Sequence, residues 1–135
     1  MGNLFIVATP IGNLGDFSDR AKETLGAVDI ILAEDTRVTR RLISLVAERV
    51  GVASGTGSTV LRKQMLSLNE HASESRIREA IQILKSGKSM ALVTDAGTPG
   101  IADPGGRFIE RVIHEAPEVT ITPIPGVCAA TAALS

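Results

Sequence analysis

The chain has 135 residues, so one domain is the expectation, and that length hides roughly two-thirds of the unfolded surface. Its composition, 44% hydrophobic and 21% charged, excludes a disordered chain. Fourteen Lys and Arg against 15 Asp and Glu leave a formal net charge of −1, which argues against a generically basic nucleic-acid binder but leaves room for a local basic patch.

Aromatic residues make up only 2% of the chain, with no Trp or Tyr, which argues against a base-stacking platform. Cys128 is the single cysteine, so no internal disulfide can form and a reducing compartment is expected. The opening MGNLFIVATP lacks the basic region of a signal peptide, and Ile6 stands where a myristoylation motif wants Ser or Thr. No apolar run approaches the ~18 residues of a membrane span. These features lead to the expectation of a soluble cytoplasmic protein.

In chain order, Leu4–Ala8 reads as a buried strand and Ser18–Ala27 as a helix. Asp29–Ala33 is a second strand. Thr36–Val50 is a helix with Val38, Leu42, Leu45, Val46 and Val50 expected on its inner face. The glycine- and serine-rich stretch Gly51–Ser58 reads as a flexible connection. Met65–Leu68 is a short strand, and Ser73–Ser86 a helix with Ile77, Ile81 and Leu84 inward. Met90–Thr94 is a strand, and Pro104–Ala116 a helix with Phe108, Ile109, Val112, Ile113 and Ala116 inward. Val119–Ile124 is a fifth strand, and Val127–Leu134 starts another helix without a stop signal. Five strands alternating with helices predict an α/β fold with a five-stranded, mostly parallel sheet covered on both faces.

Each predicted strand runs into an unusual segment. These are Thr9–Gly15, Glu34–Arg37, Asn69–His71, Asp95–Gly105 and Pro125-Gly126. In a parallel sheet the C-terminal strand ends share one edge, where ligands of open α/β sheets bind. Gly and Pro there allow a close and fixed backbone approach, so a small-molecule cleft is expected. Two familiar motifs fail. Ser86-Gly87-Lys88-Ser89 lacks the earlier Gly of a phosphate loop and precedes a strand. Gly12 and Gly15 give only G-x-x-G, short of the dinucleotide fingerprint.

Ordinary structural roles compete for several of these residues. Asp103-Pro104 has the form of a helix start, with an Asp cap and Pro at the first helical position. Asp35 also suits a helix cap. Glu34 directly ends a buried strand, so its carboxylate belongs either to the ligand edge or to a costly burial. Arg37, Arg40 and Arg41 share a helix face that is either solvated or turned to phosphates. His71 is a candidate general base beside the edge, and His114 reads as a solvent-facing helix residue. Cys128 reads as a small buried filler. No metal-ligand spacing is present.

Four segments occur in order: Val7-Ala8-Thr9-Pro10-Ile11-Gly12-Asn13-Leu14, Ala33 to Arg40 (AEDTRVTR), Asp95 to Gly105 (DAGTPGIADPG), and Pro123-Ile124-Pro125-Gly126. Together they resemble the tetrapyrrole (corrin/porphyrin) methylase superfamily. Within it they resemble the branch that methylates the ribose 2′-oxygen of a cytidine in small-subunit (16S) ribosomal RNA. The resemblance implies two α/β domains with S-adenosylmethionine between them. Residues 1–135 correspond to the N-terminal domain, with the C-terminal domain absent and the sheet ordered 3-2-4-1-5. It further implies that Pro10, Gly12, Asn13, Asp95, Gly97, Thr98, Ile101, Ala102 and Gly126 line the cofactor site. Glu34, Asp35 and His71 are the candidate catalytic groups, and Arg37, Arg40 and Arg41 the candidate RNA contacts. A homodimer is expected, with no metal.

Three departures stand out: a long Gly51–Lys63 connection, Ala72-Ser73 where relatives are more polar, and Val127-Cys128 in place of a Pro-Ser type pair. A tetrapyrrole carbon methyltransferase is one alternative, although the first loop reads Thr-Pro-Ile-Gly-Asn-Leu, unlike the Gly-x-Gly-Pro-Gly type of those relatives. An inactive binding or dimerisation module is another, since half a cleft should bind cofactor weakly.

Overall fold

The computed structural model describes residues 2–50, 63–101 and 103–135. The Gly51–Ser58 stretch and most of the long connection after it lie outside the described residues. Five strands are present: β1 (Asn3–Val7), β2 (Ile30–Ala33), β3 (Gln64–Ser67), β4 (Met90–Val93) and β5 (Thr120–Ile124). The helices are α1 (Asp19–Ala27), α2 (Thr36–Val50), α3 (Glu74–Lys85), α4 (Gly105–Glu115) and α5 (Ala129–Leu134), with a short 3₁₀ turn at Leu14–Asp16.

The sheet order is β3-β2-β4-β1-β5, and every strand pair is parallel. This is the order the resemblance implies. Strands β2 and β4 are buried along their whole length, as expected of runs apolar on both faces. Side chains alternate between two cores. Leu4, Ile30, Leu32, Met90 and Leu92 point to one face, where they meet Ile77, Ile81 and Leu84 of α3 and Phe108 and Val112 of α4. Val7, Ile31, Ala33, Ala91 and Val93 point to the other, where they meet Leu25 of α1 and Ile43 of α2.

Helix starts follow local chemistry. Ser18 caps α1 by accepting from the Ala21 N–H, and Ser73 caps α3 by accepting from the Arg76 N–H. Ser86 closes α3, and Gly87, at φ +98°, turns the chain toward β4. The rejected phosphate-loop segment is thus a helix stop. Its Ser89 serves the sheet instead, since the Asp29 carboxylate accepts from both the Ser89 N–H (2.7 Å) and its hydroxyl (2.9 Å). Those two bonds, the backbone one foremost, hold the Asp29 carboxyl below the usual range.

Two expected inner faces need correction. On α2 the buried positions are Thr39 and Ile43, whereas Val38 and Leu45 are each 39% exposed. Leu42 and Val46 pack against the core as expected, but Thr39 and Ile43 take the innermost positions in place of Val38 and Leu45. The Val50 side chain lies outside the described residues. On α4, Phe108, Val112 and Ala116 repeat every four residues and are buried, which leaves Ile113 54% exposed. Phe108 has no exposed surface and packs between the sheet and α3. Phe108→Ala should cost about 3–5 kcal/mol. Urea denaturation of this chain should show the midpoint falling accordingly, and an unchanged midpoint would contradict this account of the core.

Candidate functional site at the C-terminal edge of the sheet

The loops after β1, β4 and β5 are joined into one surface. Thr9 and Gly97 exchange two backbone hydrogen bonds, at 2.9 and 3.0 Å, as an antiparallel bridge. The buried Thr9 hydroxyl donates to the Thr94 carbonyl at 3.4 Å. The Thr98 hydroxyl donates to the Val127 carbonyl at 2.8 Å, which ties the β4 loop to the β5 loop. Gly97 has φ +89°, a left-handed conformation that favours glycine. Gly126 lies against Ala8, where an added Cβ would come 2.7 Å from the Ala8 Cβ. The Gly-Pro composition of these loops therefore serves close approach between neighbouring backbones.

Pro10 is half-buried, and Gly12 and Asn13 are exposed on the rim of this surface. The Asn13 side chain accepts from the Gly15 N–H at 2.9 Å and so starts the 3₁₀ turn. Ile101 is 63% exposed, and Ala102 lies outside the described residues. Asp103, expected at the capping position, sits one residue before it, because Pro104 is the residue that directly precedes the helix. Its carboxylate still closes the helix start, accepting from Gly105 N–H at 2.8 Å and, across the loop, from Gly100 N–H at 2.8 Å. Cys128 is half-buried at the start of α5 instead of filling the core.

Beside the joined loops stand three carboxylates. Glu34, at the end of β2, accepts from the Thr94 hydroxyl at 2.6 Å and from the Asp95 N–H at 3.3 Å. Asp95 in turn accepts from the Asp35 N–H at 3.1 Å. Partial burial pushes the Asp95 carboxyl upward, and the neighbouring negative charge of Glu34 adds to the push. Asp35 moves the opposite way. Hydrogen bonds from the Arg37 guanidinium, and then from the Arg37 N–H, hold it below the usual carboxylate range. Asp35 therefore caps α2 and carries an ion pair, while Asp95 is the member better suited to take up a proton.

His71 is exposed in the turn after β3, where its backbone N–H donates to the Asn69 side chain at 2.9 Å. Among the described residues no hydrogen bond joins it to the carboxylates. Arg37, Arg40 and Arg41 are all exposed on the first turns of α2, and Arg37 pairs with Asp35 at 2.9 Å. On the other side of the β4–α4 loop a cleft of about 440 Å³ opens, lined by Leu68, Asn69, Glu70, Ile101, Asp103 and Arg107 among others. Among the described residues no group of three or more His, Cys, Asp or Glu side chains is placed to hold a metal ion, and no helix is long and apolar enough to cross a membrane.

Sequence reasoning missed Thr94, which reads as the end of an apolar strand, and it placed Asn69 at the edge without its part in shaping the turn. It also placed Asp95 only with the cofactor loop. Its neighbour Glu34 stands 61 positions earlier, so no local pattern links them. The raised Asp95 carboxyl has a pH consequence. A carboxyl whose folded value lies above its unfolded one favours folding most at low pH, and that contribution is lost as pH rises through the folded value. Asp95→Asn, which can still accept from Asp35, should therefore raise stability at pH 7. The gain should shrink toward pH 4, and a urea-midpoint difference that stays flat over this range would refute the raised value.

The chain matches the family model "Tetrapyrrole (Corrin/Porphyrin) Methylases" over residues 3–135. It is 44% identical over 135 residues to a ribosomal RNA small subunit methyltransferase I of Thermotoga maritima, covering 100% of this chain and 55% of that protein. It is 41% identical over 134 residues to the protein of the same name from Escherichia coli O157:H7, covering 99% of this chain and 42% of that one. The chain thus spans about half the length of the curated relatives it matches. Among solved structures, the uroporphyrin-III-C-methyltransferase of Thermus thermophilus superposes with a TM-score of 0.64 at 16% identity, covering 99% of this chain and 50% of that one. That likeness shows the shared fold, and the match along nearly the whole length shows that this chain belongs to the tetrapyrrole (corrin/porphyrin) methylase family.

Proposed function

We propose that the chain is the N-terminal half of a two-domain, S-adenosylmethionine-dependent methyltransferase that methylates the ribose 2′-oxygen of a cytidine in small-subunit ribosomal RNA. The observation that carries this reading is the joining of the β1, β4 and β5 loops beside the Glu34–Asp95 carboxylates. The relatives' names support the RNA substrate. The likeness to a tetrapyrrole enzyme, at 16% identity, speaks for fold alone.

The residues present suit such a cofactor. Gly97 and Gly126 keep side chains out of the crowded loop contacts, and the neighbouring carboxylates complement a cationic sulfonium and an amino group. Pro10, Gly12, Asn13, Asp95, Gly97, Thr98, Ile101, Ala102 and Gly126 would hold it. When bound, this cofactor supplies a methyl group on a good leaving group. The chain's work is then to align the ribose oxygen and to take up its proton. Asp95, Glu34 and His71 are the groups able to accept that proton. Asp35 is the weakest candidate, because its ion pair with Arg37 disfavours protonation. Arg37, Arg40 and Arg41 would meet RNA phosphates at the β2 end of the edge.

The second domain completes the cleft, so transfer is expected from the full-length protein and not from this half alone. The protein acts in the cytoplasm as a homodimer, which light scattering on the full-length protein checks directly. Calorimetry on the full-length protein should show S-adenosylmethionine binding, and labelled methyl should pass to unmethylated small ribosomal subunits. Absence of binding refutes the cofactor reading, and binding without transfer to the RNA refutes the substrate reading. Gly126→Ala, which forces the β5 loop away from Ala8, should weaken cofactor binding by about tenfold, equivalent to ~1.4 kcal/mol. An unchanged dissociation constant would remove Gly126 from the site.

A further inference from the structure

The cleft between the β3–α3 turn and the β4–α4 loop has a chemistry of its own. Its floor is apolar: Leu68 and Ile77 are each 2% exposed, and Ala72 packs against the same core. One wall is Ile101, an apolar side chain left 63% exposed. At about 440 Å³ it falls in the ordinary range of small-ligand pockets.

The polar groups around this slot divide into those already used and those still available. Asp103 spends both carboxylate oxygens on the Gly100 and Gly105 N–H groups. The Asn69 side-chain oxygen accepts from the His71 N–H, which leaves its Nδ2 as a donor. Glu70 is exposed, and among the described residues its carboxylate has no partner, so it remains an acceptor. Arg107 is anchored through Nη2 to Glu74 at 2.6 Å, and the second Glu74 oxygen holds Arg111 at 2.7 Å. The Arg107 guanidinium is thus steadied by one nitrogen, while among the described residues its other N–H groups have no hydrogen-bond partner.

We infer that this cleft takes one unstacked nucleotide of the RNA substrate, with the base against Leu68 and Ile101 and a phosphate on Arg107. The adjacent acceptor and donor, Glu70 and Asn69, match a base that presents an exocyclic amino group beside a ring-nitrogen acceptor, as cytosine does. Uracil and guanine present the reverse pair, a carbonyl beside an N–H. The inference rests on the proposed RNA-methylating function and deepens it. The Asp95–Gly105 loop would divide the edge, with Gly97 and Thr98 turned to the cofactor side, Asp103 to the nucleotide side, and Ile101 at the boundary between the two.

The test uses the full-length protein and nuclear magnetic resonance titration with cytidine, adenosine, uridine and guanosine 5′-monophosphates, read at the Asn69 side-chain amide. Cytidine and adenosine monophosphates should bind about tenfold more tightly than the other two. Glu70→Ala should erase that preference. Arg107→Ala should weaken all four nucleotides alike and keep the preference. Cofactor affinity of both variants, measured in parallel, should stay at the parent value, which separates a local effect from misfolding. Equal affinity for all four nucleotides, or a preference that survives Glu70→Ala, overturns the inference. Methyl transfer to small ribosomal subunits distinguishes the two readings. Transfer by the parent protein with an unchanged KM for RNA in Glu70→Ala removes the cleft alone. A Glu70-dependent preference without any transfer removes the proposed function and leaves the cleft standing.

Discussion

Everything on the candidate ligand edge depends on the pairing of β2 with β4 at the centre of the sheet. The two strands run in register from Ile30 opposite Met90 to Ala33 opposite Val93, and both are buried throughout. Side chains fasten this pair at both ends. At the entry, Asp29 and Ser89 exchange backbone and side-chain hydrogen bonds, and at the exit Glu34 accepts from Thr94 and Asp95. Apolar burial favours the pairing without specifying its register strongly, since strands apolar on both faces tolerate a shift better than amphipathic ones. The polar contacts at each end supply that specificity. A one-residue slip would leave their carboxylates without partners.

The same arrangement gives the exit end its electrostatic character. Binding Glu34 to the Asp95 backbone brings a second carboxylate close to the first, and Asp35 follows in the chain. One of the three, Asp35, is relieved by the Arg37 guanidinium. Among the described residues, Asp95 has only a backbone N–H to offset its neighbours. Like charges held together by the fold are a cost to stability, and such costs gather where a site needs a particular proton affinity. The contrast between Asp35 and Asp95 has two sources: the Arg37 guanidinium lowers one, while partial burial and then the Glu34 charge raise the other.

Much of the fold was legible because a parallel sheet advertises itself through short apolar runs separated by helical period. All five strands and the main helices follow from that pattern, and Gly and Pro after β1, β4 and β5 marked the candidate ligand edge. The reading failed where tertiary packing chose between nearly equal helix faces. Thr39 displaced Val38 on α2, and Ile113 fell outside the four-residue repeat of α4. Within the site, Glu34 was legible as an ill-placed carboxylate at a strand end. Its partners were not, because they are 60 and 61 positions away along the chain and meet it through the sheet order. Asp103 shows the finer limit: the capping chemistry was right, but the helix begins one residue later than Asp-Pro alone implies.

The strand order also governs when the sheet can be assembled. β1 is made first, yet it lies between β4 and β5, where Leu4 faces Met90 and Asn3 faces Thr120. During synthesis its apolar run must wait for partners more than eighty residues behind it, while β2, α2 and β3 emerge and can pair among themselves. The order of emergence from the ribosome is therefore not the order of sheet closure. Through that delay the LFIV segment is an exposed, strand-prone stretch whose earliest shelter is the chain's own helices.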